Sequence, residues 1–164
     1  MDELVAVLNE ARIKVLADVR SVPGSRRHPQ FGRSQLTSSL ADAGIEYVHL
    51  RGLGGRRDAA PDSPHVALKV DAFRGYADHM ATDEFTADYA RLVAVAHQKP
   101  TAFMCAETLW SQCHRRMLSD RLTVDGWSVV HLLGPGKNEP HSLWDVARVV
   151  DGVLTYDGGA MPLR

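Results

Sequence analysis

The sequence has almost no cysteine: Cys105 and Cys113 are the only two, and they lie close together. So small a number, with no hydrophobic leader ahead of it, argues against a disulfide scaffold and for a reducing cytoplasm. Long hydrophobic runs are missing as well. No stretch approaches the roughly 18 apolar residues of a membrane span, so no membrane partner is expected. Net charge is close to zero, at -1, which gives no bulk field toward nucleic acid or membrane. Aromatic residues make up only 7% of the chain. They are sparse among the arginines, so base stacking is not signalled. Internal repeats, low-complexity tracts and long linkers are absent too.

What is present is enough for one domain with a proper core: 164 residues, 45% of them hydrophobic. Charge is unevenly placed. Between Ile13 and Arg57 there are eight Lys/Arg against three acidic residues, so a basic first third sits on an otherwise acidic chain. That pattern points to a local anion site rather than a generally basic surface.

In chain order, Asp2 to Arg12 has the apolar spacing of a short amphipathic helix. Ile13 to Val19 is a near-continuous apolar run rich in β-branched residues, as in a buried parallel strand. Ser21 to Gly32 holds Pro23, Gly24, Pro29 and Gly32 around Arg26, Arg27 and His28, and is predicted to be a basic loop. A helix is expected from a Ser34 cap to Ala43, ended by Gly44. Ile45 to Leu50 predicts a second strand, and Gly52, Gly54 and Gly55 a flexible turn after it. Two helices follow, over Asp71–Met80 and Thr82–His97. Thr101 to Cys105 predicts a third strand and Ser111 to Val124 a helix capped by Ser111. Trp127 to Leu133 predicts a fourth strand, Gly134 to His141 a loop, Leu143 to Val150 a last helix, and Val153 to Tyr156 a short edge strand. Strands alternating with helices give a single α/β domain over residues 1–164, with a mostly parallel central sheet flanked by helices.

Ligands of open α/β sheets bind beyond the carboxyl ends of the strands. Three such ends carry unusual polar residues here: Asp18, Arg20 and Ser21; His49 and Arg51; Cys105 and Glu107. The densest stretch is Met104 to Arg116, with both cysteines, Glu107, His114, Arg115 and Arg116. If Ser111 caps the helix, Cys113 and His114 lie in its first turn, where free N–H groups and the macrodipole favour an anion and lower a thiol pKa. A first-turn cysteine is also often a small buried residue, and Cys105 reads as core. A phosphatase loop needs an arginine six residues after its cysteine, but Ser111 and Ser119 stand there. A thioredoxin-type pair needs two intervening residues, and here there are seven. Zinc from Cys105, Cys113 and His114 lacks a ribbon spacing and an evident fourth ligand, so no metal is expected. The sequence names no cofactor.

Weight therefore moves to acid-base groups: Glu107, His114 and Asp18 as the catalytic set. Arg20, Ser21, Arg26, Arg27 and Arg115 are the substrate-binding set, since arginine holds phosphate or carboxylate bidentately. The expected function is an enzyme on an anionic substrate, small molecule or nucleic acid. The alternatives are a non-catalytic module binding nucleic acid or a phosphorylated ligand in the same cleft, and a buried polar network with no ligand.

Four segments in order carry a resemblance. They are Asp18-Val-Arg-Ser-Val-Pro-Gly-Ser-Arg-Arg-His-Pro-Gln-Phe31, Leu53-Gly-Gly55, Phe73-Arg-Gly-Tyr-Ala77, and Met104-Cys-Ala-Glu107 with Cys113-His-Arg115. Together they resemble the domain of unknown function 488 family over about Leu4 to Tyr156. The resemblance implies a compact cytoplasmic α/β domain and implies no activity. Members of that family commonly open with a short strand reading Thr-Ile-Gly-His-Ser ahead of the first helix. Here Met1-Asp-Glu-Leu stands where that helix begins: either the strand is lost or the start is assigned late, and the first case implies an exposed sheet edge and, if that histidine or serine belongs to the family's site, an incomplete site.

Overall fold

A computed structural model describes residues 1–159; residues 160–164 of the expected single domain lie outside the described residues. At its centre is a three-stranded parallel sheet in the order β2-β1-β3. The strands are β1 (Val15–Asp18), β2 (Glu46–His49) and β3 (Thr101–Met104). β1 pairs on both sides, Leu16 standing opposite Tyr47 and Ala102, and Ala17 opposite Val48 and Phe103. All four β1 residues are buried, as the continuous apolar run predicts.

Successive side chains of a strand point to opposite faces, and that alternation builds two cores. On one face Leu16 meets Leu8 of α1 (Asp2–Glu10), Leu36 and Leu40 of α2 (Arg33–Asp42), and Ile45. On the other, Ala17 and Val19 meet Tyr76 of α3 (Asp71–His79), Phe85 of α4 (Asp83–Gln98), and Met117 and Leu118 of α5 (Arg115–Val124). Each fully buried leucine in such a core contributes about 1.5–3 kcal/mol of transfer free energy.

Thr82 caps α4 by accepting the Phe85 N–H, and Gly44 takes the left-handed turn after α2 with φ +74°. The Ser34 cap does not form. Gly32 occupies the cap position, and its carbonyl accepts the Leu36 N–H. No helix among the described residues is long and apolar enough to cross a membrane.

The chain after α5 departs from expectation. β4 (Val130–Gly134) does not join the parallel sheet; it pairs antiparallel with β5 (Lys137–Pro140), where a loop was expected. The expected helix over Leu143–Val150 is absent. Its end is strand β6 (Arg148–Val150), paired antiparallel with β7 (Val153–Thr155), which matches the predicted short strand. The sheet expected to be mostly parallel is thus parallel over β1 to β3, beside two hairpins.

Candidate functional site

Asp18 ends β1 and is fully buried. Its carboxylate accepts hydrogen bonds from Arg20 Nε at 2.8 Å, Arg20 Nη2 at 2.6 Å, the Arg20 backbone N–H at 3.1 Å and the Tyr47 hydroxyl at 2.6 Å. Arg20 Nη2 also donates to the Phe31 carbonyl at 2.8 Å, tying down the end of the basic loop. The hydrogen bond to Asp18 raises the Arg20 pKa against the opposing effect of burial. Burial, then the bond to Asp18, pushes the Tyr47 phenol up. These groups satisfy one another internally, as buried charges must. Arg26 and Arg27 stand exposed on the loop.

The sheet itself divides the expected site. Asp18 and its partner Tyr47 lie on the α1/α2 face, whereas Cys105 packs on the core that contains Tyr76 and Met117. Ser21 belongs to this second side, its hydroxyl donating to the Gly55 carbonyl at 3.1 Å.

On that second side the four motif segments meet at His114. Its Nε2 lies 3.2 Å from the Val19 carbonyl, an acceptor only, so Nε2 carries a hydrogen. Nδ1 faces Cys113 Sγ at 3.5 Å. The ring packs on Tyr76 at 5.0 Å between centroids, and the Tyr76 hydroxyl donates to the Leu53 carbonyl at 2.9 Å. Gly55 lies against the same ring: a β-carbon there would come within 2.7 Å of Nδ1. The glycine turn is therefore a close approach, with Gly52, Leu53 and Gly54 buried, rather than the flexible segment expected.

The two sulfurs lie 2.7 Å apart and are free cysteines. Each also accepts a backbone N–H: Cys105 from Glu107 at 3.3 Å, Cys113 from Arg115 at 3.4 Å. The S–H···S bond inside the pair, helped on Cys113 by His114 and the Arg115 N–H, holds the first proton loss well below the usual thiol range. The same bond, with burial and a second negative sulfur, pushes the other proton loss well above it. Cys113 is 3% exposed and Cys105 half-buried.

Cys105, Cys113 and His114 present three soft ligand atoms within 4.8 Å of one another, the donor set of a three-ligand zinc site. Two thiolates sharing one zinc at about 2.3 Å would stand well over 3 Å apart.

The helix start differs from expectation in a way that matters here. A short 3₁₀ turn at Trp110–Gln112 precedes an extended Cys113, and α5 begins at Arg115 with no side-chain cap. Of the N–H groups expected to hold an anion, Gln112 donates to the Leu109 carbonyl and Cys113 to the Trp110 carbonyl; at the start of α5, Arg115 donates to Cys113 Sγ, Arg116 to the Cys113 carbonyl and Met117 to the His114 carbonyl. Arg115 Nη2 donates to the Glu107 carbonyl at 2.6 Å, and the Glu107 residue is exposed.

This geometry gathers Val19, Leu53-Gly54-Gly55, Tyr76 and Cys105 with Cys113-His114-Arg115, which are the segments that carry the resemblance noted above. The family described as Domain of unknown function DUF488 matches residues 1–122. The chain belongs to that family. The match covers the parallel sheet, the thiol pair and nearly all of α5. No curated protein matches the chain, and no solved structure does.

Asp120, His131 and His141 lie outside the motifs that stand out in the sequence, yet the fold joins them. Asp120 is fully buried on α5 and accepts from His141 Nε2 at 2.7 Å, the Tyr156 hydroxyl at 2.7 Å and the Trp144 N–H at 3.1 Å. The signal was there: an acid between Leu118 and Leu122, in the apolar stripe of the helix.

Proposed function

We propose that this DUF488-family protein is a cytoplasmic enzyme acting on an anionic substrate, phosphate- or carboxylate-bearing, at the carboxyl end of its parallel sheet. The reacting group is the Cys105–Cys113 pair, which holds one thiolate at neutral pH. The observation that carries this reading is the convergence on Cys113 Sγ of Cys105 Sγ, His114 Nδ1 and the Arg115 N–H. A thiolate so placed is an activated nucleophile.

His114, with its Nε2–H held by the Val19 carbonyl, turns Nδ1 toward that thiolate. The thiolate adds to the electrophilic centre of the substrate and the leaving group departs with a proton from Glu107; water, giving its proton back to Glu107, then cleaves the group from Cys113 and frees the thiolate. Glu107, exposed beside the pair, carries protons between the site and water. Arg115, Arg26 and Arg27 hold the anion. Asp18 and Arg20, closed on each other, position the loop rather than meet the substrate.

The test is a turnover screen over phosphate esters, carboxylate esters and nucleotides. Cys113→Ser should abolish the activity found, and Glu107→Gln should reduce it by about a hundredfold. A substrate processed by Cys113→Ser at the wild-type rate would sink the assignment. The exposed Arg26 and Arg27 favour one other reading, a module that binds nucleic acid or a phosphorylated ligand. Salt-dependent binding with no turnover of any member of the panel would select it.

A further inference from the structure

Cys105 and Cys113 meet through the fold and not through their spacing, since seven residues separate them. Cys105 follows the end of β3 and Cys113 stands extended before α5, yet their sulfurs lie 2.7 Å apart. The segment between them is exposed from Ala106 to Leu109 but is tethered twice. Arg115 Nη2 donates to the Glu107 carbonyl at 2.6 Å. The Trp110 indole donates to Glu139 at 2.9 Å and stacks on His131 at 3.7 Å between centroids. A segment so tethered keeps the sulfurs together, and its exposure lets it adjust without disturbing the core.

The pair is also asymmetric. Cys113 is 3% exposed, whereas Cys105 is half-buried. An incoming molecule therefore meets Cys105 first, with Cys113 directly behind it. Cys113 Sγ keeps the Arg115 N–H at 3.4 Å and His114 Nδ1 at 3.5 Å when Cys105 is engaged elsewhere. One accessible sulfur backed by a second, supported sulfur is the arrangement of an attacking and a resolving thiol.

We propose that the pair is also a two-electron redox site, which takes low-molecular-weight disulfides as co-reactant and closes to a Cys105–Cys113 disulfide. The reduced pair enters with one thiolate and one thiol, the proton passing between the sulfurs. Cys105 Sγ attacks one sulfur of the co-reactant, whose S–S bond breaks, and the first small thiolate leaves. The proton of the pair stays on Cys113 and is then lost to water. Cys113 Sγ attacks Cys105 Sγ, the mixed disulfide breaks, and the second small thiolate leaves. The two protein sulfurs give up two electrons, and the two sulfurs of the co-reactant gain them. The second step joins atoms already in contact, so it is effectively unimolecular. The closed form holds no thiolate, so oxidation switches off the nucleophile. That consequence rests on the thiolate nucleophile proposed above; the exchange itself does not.

The experiment treats the reduced full chain with oxidised glutathione, quenches it with acid and an alkylating agent, and reads the intact mass. Wild type should end lighter by two hydrogens, with neither cysteine alkylated and no glutathione retained. Cys113→Ser should instead hold glutathione on Cys105, because the resolving thiol is gone. Cys105→Ser should react about tenfold more slowly, because its remaining thiol is shielded. Peptide mapping of wild type quenched early should place the transient adduct on Cys105, so the order of attack does not depend on either variant folding. Wild type that keeps glutathione, or that stays reduced in an excess of oxidised glutathione, overturns the proposal. So does a pair that reacts only after a chelator is added, since a metal would then hold its thiols. Once a substrate is in hand, the oxidised protein should lose turnover and regain it with dithiothreitol. Closure with turnover retained would count against the thiolate nucleophile and leave the redox site standing.

Discussion

Val19 and His114, 95 positions apart, are joined by a 3.2 Å hydrogen bond from the imidazole Nε2 to the backbone carbonyl. That bond aims the other nitrogen of the ring at Cys113, so the end of the central strand sets the geometry of the thiol pair.

Gly55 guards that aim. Gly55→Ala puts a methyl group within 2.7 Å of His114 Nδ1. The ring must shift, at a cost of about 1–3 kcal/mol for overpacking. The thiolate should also become harder to form, because His114 is one of the groups lowering the Cys113 pKa. Urea unfolding measures the first effect and ultraviolet thiolate absorbance against pH the second. Wild-type values in both would show that the glycine is not needed for the contact.

The thiol pair should make stability depend on pH. Folded, the pair gives up its first proton well below the ordinary thiol range, whereas unfolded both thiols keep theirs to about pH 8.5. Through the neutral range the unfolded chain therefore binds one more proton. Stability rises with pH there, by at most about 1.4 kcal/mol per unit, and is lost again as pH falls through the low folded value. Above the ordinary thiol range the trend reverses, because the second proton is held more tightly in the folded state. Urea unfolding of wild type and Cys113→Ser between about pH 6 and about pH 8 should show a gap that widens with pH. A gap that narrows contradicts it.

Asp18→Asn leaves the Arg20 guanidinium, 7% exposed, without its counter-charge. Removing one member of a buried pair costs about 3–5 kcal/mol. Replacing both, as Asp18→Asn with Arg20→Met, should recover much of that loss. Equilibrium unfolding of the single and double variants is the measurement. A single variant within about 0.5 kcal/mol of wild type, the range of neutral surface changes, would refute the pairing argument.

Tyr156→Phe withdraws the 2.7 Å hydroxyl donor from Asp120 Oδ2 while keeping the ring. An acceptor left short in the interior costs about 1–3 kcal/mol, and more for a charged group. Thermal unfolding should show the loss with secondary structure unchanged at low temperature. An unaltered midpoint would mean that water replaces the phenol.

The features legible in the sequence were those with a strong local cause. β1 is an unbroken apolar run, and Gly44 and Thr82 are local chain signals, at a helix end and a helix start. The hairpins were not legible. β5 is Lys137-Asn-Glu-Pro140, exposed throughout, with no alternation to give it away. The apolar spacing across Leu143–Val150 fits a helix, yet β6 there is exposed and held by pairing with β7. The cluster from Met104 to Arg116 was legible as a concentration of reactive groups. Its internal order was not, because the turn at Trp110–Gln112 moves the helix start from Ser111 to Arg115. Nothing local tells that Asp18 and Cys105 fall on opposite faces, since that follows from the register of β1 with β3. The Asp120–His141–His131 chain spans a helix, a strand and the residue following β5, so only the tertiary fold assembles it.

The central position of β1 has a consequence for synthesis. Its two neighbours come from later in the chain, and β3 is the last of the three to leave the ribosome. Until Met104 emerges, β1 and β2 form a ribbon in which the second edge of β1 is open as well as the outer edge of β2, and such edges pair with other chains. The thiol pair and His114 follow within a few residues. Closure of the nascent sheet and assembly of the reactive centre therefore belong to nearly the same moment of translation.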